Sequence, residues 1–267
     1  MITCNVMGPS KIDGEYMAGL GNQMFTIATT VAVAIDNKDL PVFPDLHNKN
    51  WFGHYTDNVF SRLKLGLGKG FVKNKFKEKS WKYSKIDYKE NLCLDGYFQS
   101  HKYFEHRRGF ILKLFAPTEN INKYMNDKYG HLINDEKTVA VHIRRGDYLS
   151  PTLSQYHHAQ DISYYEKAMS HFSSDCKFIF FSDDIEWCKE NFVKDNYFFI
   201  EGESDYIDLY LMSKMKNNII ANSTFSWWGA WLNSNKNKKV IMPTKWYGPK
   251  NIEKEDHDMY VEEWIKI

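Results

Sequence analysis

Apolar and polar positions alternate most regularly in the second half of the chain. The run TVAVHI (Thr138–Ile143) is apolar enough to predict a buried strand, and ISYYEKAMSHF (162–172) has the spacing of an amphipathic helix. KFIFFSDD (177–184) predicts a second strand with a polar end, followed by a helix over IEWCKENF (185–192). A strand over 197–201, a helix over 205–215, a strand over 217–223, a helix over 225–233 and a strand over 239–243 complete the series. Strands and helices alternating across short loops predict a parallel α/β layer. Ligands of such sheets sit at the carboxyl ends of the strands, which here carry HIRRGD, FSDD and ANSTFS.

In the first half, residues 1–7 predict a short strand and MFTIATTVAVAID (24–36) a buried helix, with AGLGNQ as a glycine-rich turn before it. Strand, glycine turn and helix open many nucleotide-binding units, because a helix N-terminus offers free N–H groups and partial positive charge. The full G-x-G-x-x-G spacing is missing. Residues 69–89 interleave eight lysines with aromatics and two acids. That mixture suits nucleic acid, but it also suits a solvated segment whose lysine stems cover aromatic rings. Neither an RNA-binding aromatic motif nor helix-turn-helix spacing accompanies it, which favours the solvated segment. A polar stretch at 134–137 predicts a boundary, giving α/β domains over 1–134 and 135–267.

Composition narrows the function further. A chain of 267 residues, 43% hydrophobic, can bury one large core or two ordinary ones. Its 35 basic and 34 acidic residues nearly cancel, which argues against a general polyanion binder. Only five of the basic residues are arginine, yet Arg144 and Arg145 stand side by side, and guanidinium binds phosphate bidentately where lysine does not. Cys4, Cys93, Cys176 and Cys188 form no C-x-x-C pair, so a structural zinc site is not expected. The N-terminus lacks the charged-then-apolar pattern of a signal peptide, and the longest apolar run (27–35) is too short for a bilayer. The expectation is a soluble, cytoplasmic protein with free thiols.

The three strand ends carry the candidate chemistry. Alternation along the first strand puts His142 and Arg144 on one face, toward a cleft, with Ile143 on the buried face. An arginine there can bridge a diphosphate and absorb the charge that grows as it departs. Gly146 permits a tight turn, and Asp147 can pin an arginine. Arg145-Gly146-Asp147 is also the tripeptide of receptor-binding loops, so an adhesion module is the alternative for this stretch. Ser182, Asp183 and Asp184 can accept hydrogen bonds from a guanine edge or a ribose, or cap the next helix. Asn222, Ser223, Thr224 and Ser226 open a helix and can cradle an anion, while Trp227 and Trp228 read as core. Asp256-His257-Asp258 matches a metal-binding D-x-D, but its charged surroundings and the lack of an apolar strand before it place it at the surface. His157, His158 and Asp161 read as a polar loop. No metal or other cofactor is therefore expected.

GLGNQMF, GYFQSHKYF, VHIRRGDY, FFSDD and IIANSTFSWWGAWL together resemble the α-1,2-fucosyltransferase family, glycosyltransferase family 11. The resemblance runs from Gly19 to Tyr247. It implies a GT-B fold, two Rossmann-like domains facing across a cleft, with GDP-fucose held mainly by the C-terminal one and the acceptor by the N-terminal one. It also implies a metal-independent, inverting transfer of L-fucose to the 2-hydroxyl of a terminal β-galactose. Under it, Arg144 resembles the diphosphate-binding arginine, with Arg145 beside it, and His142 lies next to the nucleotide. Asp183 or Asp184 is placed to recognise guanine or ribose, and Ser223, Thr224 and Ser226 line the diphosphate pocket. Gly19, Gly21 and Asn22 match the loop that approaches sugar and acceptor from the other side. Residues 9–17 depart from the family pattern as an insertion, Ala18 replaces a glycine, and FTIA stands for FQYA.

Overall fold

A computed structural model describes residues 1–6, 11–12, 15–16, 19–47, 55–66, 68–254 and 257–267. Two compact units divide the chain, Met1–Thr118 with Asp256–Val261, and Glu119–Glu255 with Glu262–Ile267. Of the insertion, only the backbone of two short strands, β2 (Lys11–Ile12) and β3 (Glu15–Tyr16), is described, paired antiparallel.

In the first unit β1 (Ile2–Cys4), β5 (Leu92–Asp95) and β4 (Asn74–Lys77) form a parallel sheet in the order β1-β5-β4. Helix α1 (Leu20–Asp36) is apolar on nearly every side and is accordingly buried along its length. It begins earlier than the sequence predicts. Gly19 is the extended N-cap and the Asn22 N–H donates to the Gly19 carbonyl at 3.1 Å, so the expected glycine turn is largely the first helical turn. The lysine-rich stretch is built into this unit. Lys69 pairs with Asp45 at 2.7 Å, Lys75 with Asp95 at 2.9 Å, and Trp81 stacks on Tyr97 at 5.8 Å. Beyond Leu94 the short helix α2 (Arg108–Leu114) closes the first unit's described helices.

The second unit has six parallel strands in the order β11-β10-β9-β6-β7-β8. They are β6 (Thr138–Ile143), β7 (Lys177–Ser182), β8 (Tyr197–Phe199), β9 (Asn217–Ile219), β10 (Val240–Met242) and β11 (Ile265–Lys266). Numbered within this sheet the order is 3-2-1-4-5-6, the doubly wound arrangement, whose switch point lies between β6 and β9. Helices α3 (Glu119–Ile133), α4 (Ile162–Met169), α5 (Ile185–Asn191), α6 (Asp205–Lys214) and α7 (Thr224–Leu232) accompany it. Val139, Val141 and Ile143 of β6 join Tyr165, Phe178, Phe180 and Ile241 in one core, each such side chain stabilising by about 1.5–3 kcal/mol. Trp227, Trp228 and Trp231 are fully buried, as a core role requires.

The division falls at Thr118, ahead of the expected residue 134. Helix α3 packs against α6, and the Tyr129 hydroxyl donates to Glu203 at 2.7 Å, which ties residues 119–133 to the second unit. The polar stretch at 134–137 is the turn into β6, with Asp135 paired to Lys177 at 2.7 Å. The C-terminal tail is also no loose surface. Asp258 accepts the Tyr83 N–H at 2.6 Å and pairs with Lys102 at 2.7 Å, and His257 is buried with Nδ1 accepting the Met259 N–H at 3.0 Å. Asp256 lies outside the described residues. No described helix is long and apolar enough to cross a membrane, and the four cysteines are free and buried.

Candidate functional site

Parallel pairing sets Ile143 beside Ser182 and Val141 beside Ile219, so the loops after β6, β7 and β9 leave one edge of the sheet together. Arg144 is held by two carboxylates, Nη1 3.0 Å from Asp183 Oδ2 and Nη2 2.7 Å from Asp147 Oδ1, with its guanidinium 5.5 Å from the Tyr148 ring centre. Arg145 turns the other way. Its Nε lies 3.0 Å from Asp184 Oδ2, its guanidinium sits 3.7 Å above the Trp187 ring, and its backbone N–H donates to Asp183 Oδ1 at 2.9 Å. Burial opposes the Arg144 charge, but Asp183, Tyr148 and Asp147 outweigh it and hold the guanidinium firmly protonated.

Gly146 is required here for room more than for turning. A Cβ on it would lie 2.5 Å from Asp183 Oδ2. The tripeptide Arg145-Gly146-Asp147 is thus woven into an ion-pair network and is not displayed as an adhesion loop. Asp183 and Asp184, expected at a guanine or ribose or as a helix cap, are engaged with arginines, and α5 starts without a side-chain cap. Ser182 Oγ accepts the Asp184 N–H at 3.0 Å, which steadies the loop.

His142 departs from its expected exposure. It is 5% exposed, beside the Phe225 ring at 5.5 Å, and its Nδ1 has no hydrogen-bond partner among the described residues. A central parallel strand is covered on both faces, so alternation along β6 separates two buried faces, not a buried face from an open one. Burial, helped by the Arg144 charge, pushes its pKa down to about 3, so the imidazole is neutral near pH 7.

At the start of α7 the expected hydroxyl cluster splits. Ser223 is the N-cap with no side-chain cap bond, and Thr224 opens the helix. Ser226 is fully buried with Oγ donating to the Ser223 carbonyl at 3.3 Å. Asn222 is buried, donating to the Trp246 carbonyl at 2.7 Å and accepting from Gln160 at 3.2 Å. The Tyr148 hydroxyl donates to the Asn222 carbonyl at 3.2 Å, which ties the β6 loop to the β9 loop across the switch point.

Arg144, Arg145, Asp183, Asp184, Ser223 and Thr224 therefore share one sheet edge in the second unit. Gly19, Gly21 and Asn22 belong to the first unit, where Asn22 Oδ1 accepts from Gln99 at 2.7 Å. Sequence reasoning did not single out Tyr148 or Trp187, and it read His157 as part of a polar loop. His157 stacks on Tyr148 at 4.6 Å, and burial pushes its pKa down to about 4. An aromatic residue three or four positions after the Arg144-Arg145 pair was the available signal for Tyr148. Among the described residues no His/Cys/Asp/Glu group is arranged to hold a metal ion, and Asp161 caps α4 by accepting the Tyr164 N–H at 3.0 Å.

Residues 69–267 match glycosyl transferase family 11. The chain belongs to that family. It is 38% identical over 194 residues to the O-antigen biosynthesis glycosyltransferase WbnK of Escherichia coli, a match covering 68% of this chain and 63% of that one. It is 34% identical to an Escherichia coli alpha-1,2-colitosyltransferase over 97% of this chain and 99% of that protein. Human galactoside alpha-(1,2)-fucosyltransferase 1 is 28% identical over 53% of this chain and 43% of its own length. Among solved structures, fucosyltransferase NodZ from Bradyrhizobium superposes with a TM-score of 0.56 at 11% identity, covering 85% of this chain and 91% of NodZ. The family 11 chain thus has the α/β fold of the GT-B class.

Proposed function

We propose that this glycosyltransferase is an inverting α-1,2-fucosyltransferase, moving L-fucose from GDP-fucose to the 2-hydroxyl of a terminal β-galactose. The observation that carries the reading is the arginine pair at the β6/β9 switch point, facing the start of α7. Among the described residues Arg145 pairs through Nε and leaves its two terminal nitrogens unpartnered, and the first-turn N–H groups of α7 are a natural anion cradle. The site's three carboxylates formally outnumber its two arginines, so these oriented donors, more than net charge, select the diphosphate. Names of relatives support the linkage and the acceptor, the α-1,2 bond in two of them and the galactoside in one.

In the step itself the bond from the sugar's anomeric carbon to the β-phosphate oxygen breaks as the galactose 2-hydroxyl oxygen bonds to the opposite face. The hydroxyl proton is released and GDP leaves with the bonding pair. Arg144, Arg145 and the α7 N-terminus stabilise the charge gathering on the departing diphosphate. Neutral His142 serves as a hydrogen-bonding neighbour and not as an ion. No metal takes part in this reading, because guanidinium and backbone N–H groups fill the electrophilic role.

A second reading differs only in the donor. The near full-length similarity to an alpha-1,2-colitosyltransferase favours a GDP-linked 3-deoxy sugar on the same machinery. Both readings predict that Arg144→Ala weakens GDP binding and lowers transfer by about 10²–10³-fold, the cost of removing one charge-stabilising donor. Calorimetric titration with GDP and turnover assays with either donor, in EDTA, test this. A folded Arg144→Ala protein with near-normal GDP affinity and turnover would overturn it.

A further inference from the structure

At the carboxyl end of β5 the first unit holds a turn in a costly conformation. Phe98 is buried with a φ of 51°, the left-handed region that bulky residues avoid. Three side chains keep it there. Glu78 accepts the N–H groups of Tyr97 at 2.7 Å and of Phe98 at 3.0 Å, the Thr26 hydroxyl reaches the carbonyls of Gly96 and Tyr97 at 3.4 and 3.5 Å, and Ser100 caps the following turn. Gly96 must lack a Cβ, which would stand 2.4 Å from the Glu78 Cβ. Burial raises the Glu78 pKa, so the turn also retains a carboxylate in an environment that opposes its charge.

The outward products of the turn are Tyr97 and Gln99. Tyr97 is half-buried and stacked on Trp81, 5.8 Å between ring centres at 27°. The Gln99 Nε2 donates to Asn22 Oδ1 at 2.7 Å. That bond fixes the amide and leaves its Oε1 as an acceptor with no partner among the described residues. A neutral carbonyl acceptor two residues along the same turn from an aromatic ring suits a sugar, with a hydroxyl for the amide and a C–H face for the ring. It does not suit a diphosphate, which needs donors.

We propose that Gln99 is a specificity-determining residue that accepts a hydrogen bond from one hydroxyl of the acceptor sugar, with Tyr97 as its apolar wall. The assignment to the acceptor rests on the proposed transferase reading, in which the nucleotide determinants lie on the second unit's sheet edge. Glu78 is a positioning residue, acting through the turn.

The test uses the full chain and steady-state kinetics with GDP-fucose and a β-galactoside, together with galactosides each lacking one hydroxyl other than the 2-hydroxyl. Gln99→Leu should raise the acceptor KM about two- to twelve-fold, the net worth of one neutral hydrogen bond, while the donor KM holds and the fold survives with a slightly lower thermal midpoint from the lost bond to Asn22. One deoxygenated galactoside should bind the wild type more weakly by the same factor and show no further loss in Gln99→Leu. Gln99→Glu keeps an acceptor oxygen but loses the donor that orients it on Asn22, so it should recover only part of the affinity. An unchanged acceptor KM, a rise in the donor KM instead, or equal losses for every deoxygenated acceptor would overturn the proposal. A wild type inactive with every donor would instead count against the transferase reading, and direct binding of the galactosides to wild type and Gln99→Leu would then decide the Gln99 proposal by the same factors.

Discussion

Gly146 and Arg144 show how tightly single residues are tied at the sheet edge. A methyl group at 146 meets Asp183 at 2.5 Å, and Asp183 in turn holds Arg144 and the Arg145 backbone. Gly146→Ala should therefore cost about 1–3 kcal/mol by overpacking and lower kcat/KM by displacing the carboxylate. Thermal melts and donor-saturation kinetics on the same preparation read both effects, and unchanged kinetics would mean that Asp183 does not position the arginines for function. Arg144→Lys should fail almost as badly as alanine, because one ammonium cannot span Asp147 and Asp183 in the fork geometry that guanidinium provides. At this scale the sequence was partly legible. HIRRGDY put two arginines at a strand end, where they stand, and Asp147 pairs with Arg144 as a short polar turn allows. The partnership of Asp183 and Asp184 with the arginines was hidden, because it depends on the register of β6 against β7.

Elements were the most legible level. Apolar runs located β6 through β10 and the helices after them, because each buried strand of a parallel sheet is a continuous apolar stretch. The same property misled at His142, where two covered faces replace one open one. Helix α6 carries a separate consequence. Burial first, then the charges of Glu203 and Asp205, push the Asp208 pKa up to about 7. The folded chain thus keeps a proton that the unfolded chain gives up near pH 4, so stability falls as pH rises from about 4 to about 7. A shift of about three units corresponds to at most about 4 kcal/mol. Asp208→Asn should melt higher than wild type at pH 8 and equally at pH 3.5, as scanning calorimetry can record. Identical melting shifts at both pH values would remove the carboxylate as the cause. His142 works in the opposite sense. Its lowered pKa means that stability is lost as pH falls below about 6.5 toward 3.

At the scale of the whole molecule, the polar stretch at 134–137 pointed to two α/β units, and the chain has two, each with its own parallel sheet. Their division was misplaced because polarity at 134–137 marks a turn, whereas membership of α3 is decided by its packing on α6, which no local pattern records. The tail's return to the first unit through Asp258 is likewise a long-range pairing without a local signature. Turnover should be undiminished in EDTA, and strict dependence on an added divalent cation would show that the arginines do not carry the leaving-group charge alone. The central claim, transfer to a galactose 2-hydroxyl, is tested most directly by the linkage of the product. The purified protein, incubated with GDP-fucose or its 3-deoxy analogue and a β-galactoside, should yield a single trisaccharide or disaccharide. Its NMR couplings and inter-residue contacts should place an α-linked deoxy sugar on oxygen 2 of galactose. Attachment at any other hydroxyl, retention of the donor's anomeric configuration, or donor hydrolysis with no glycoside formed would contradict it.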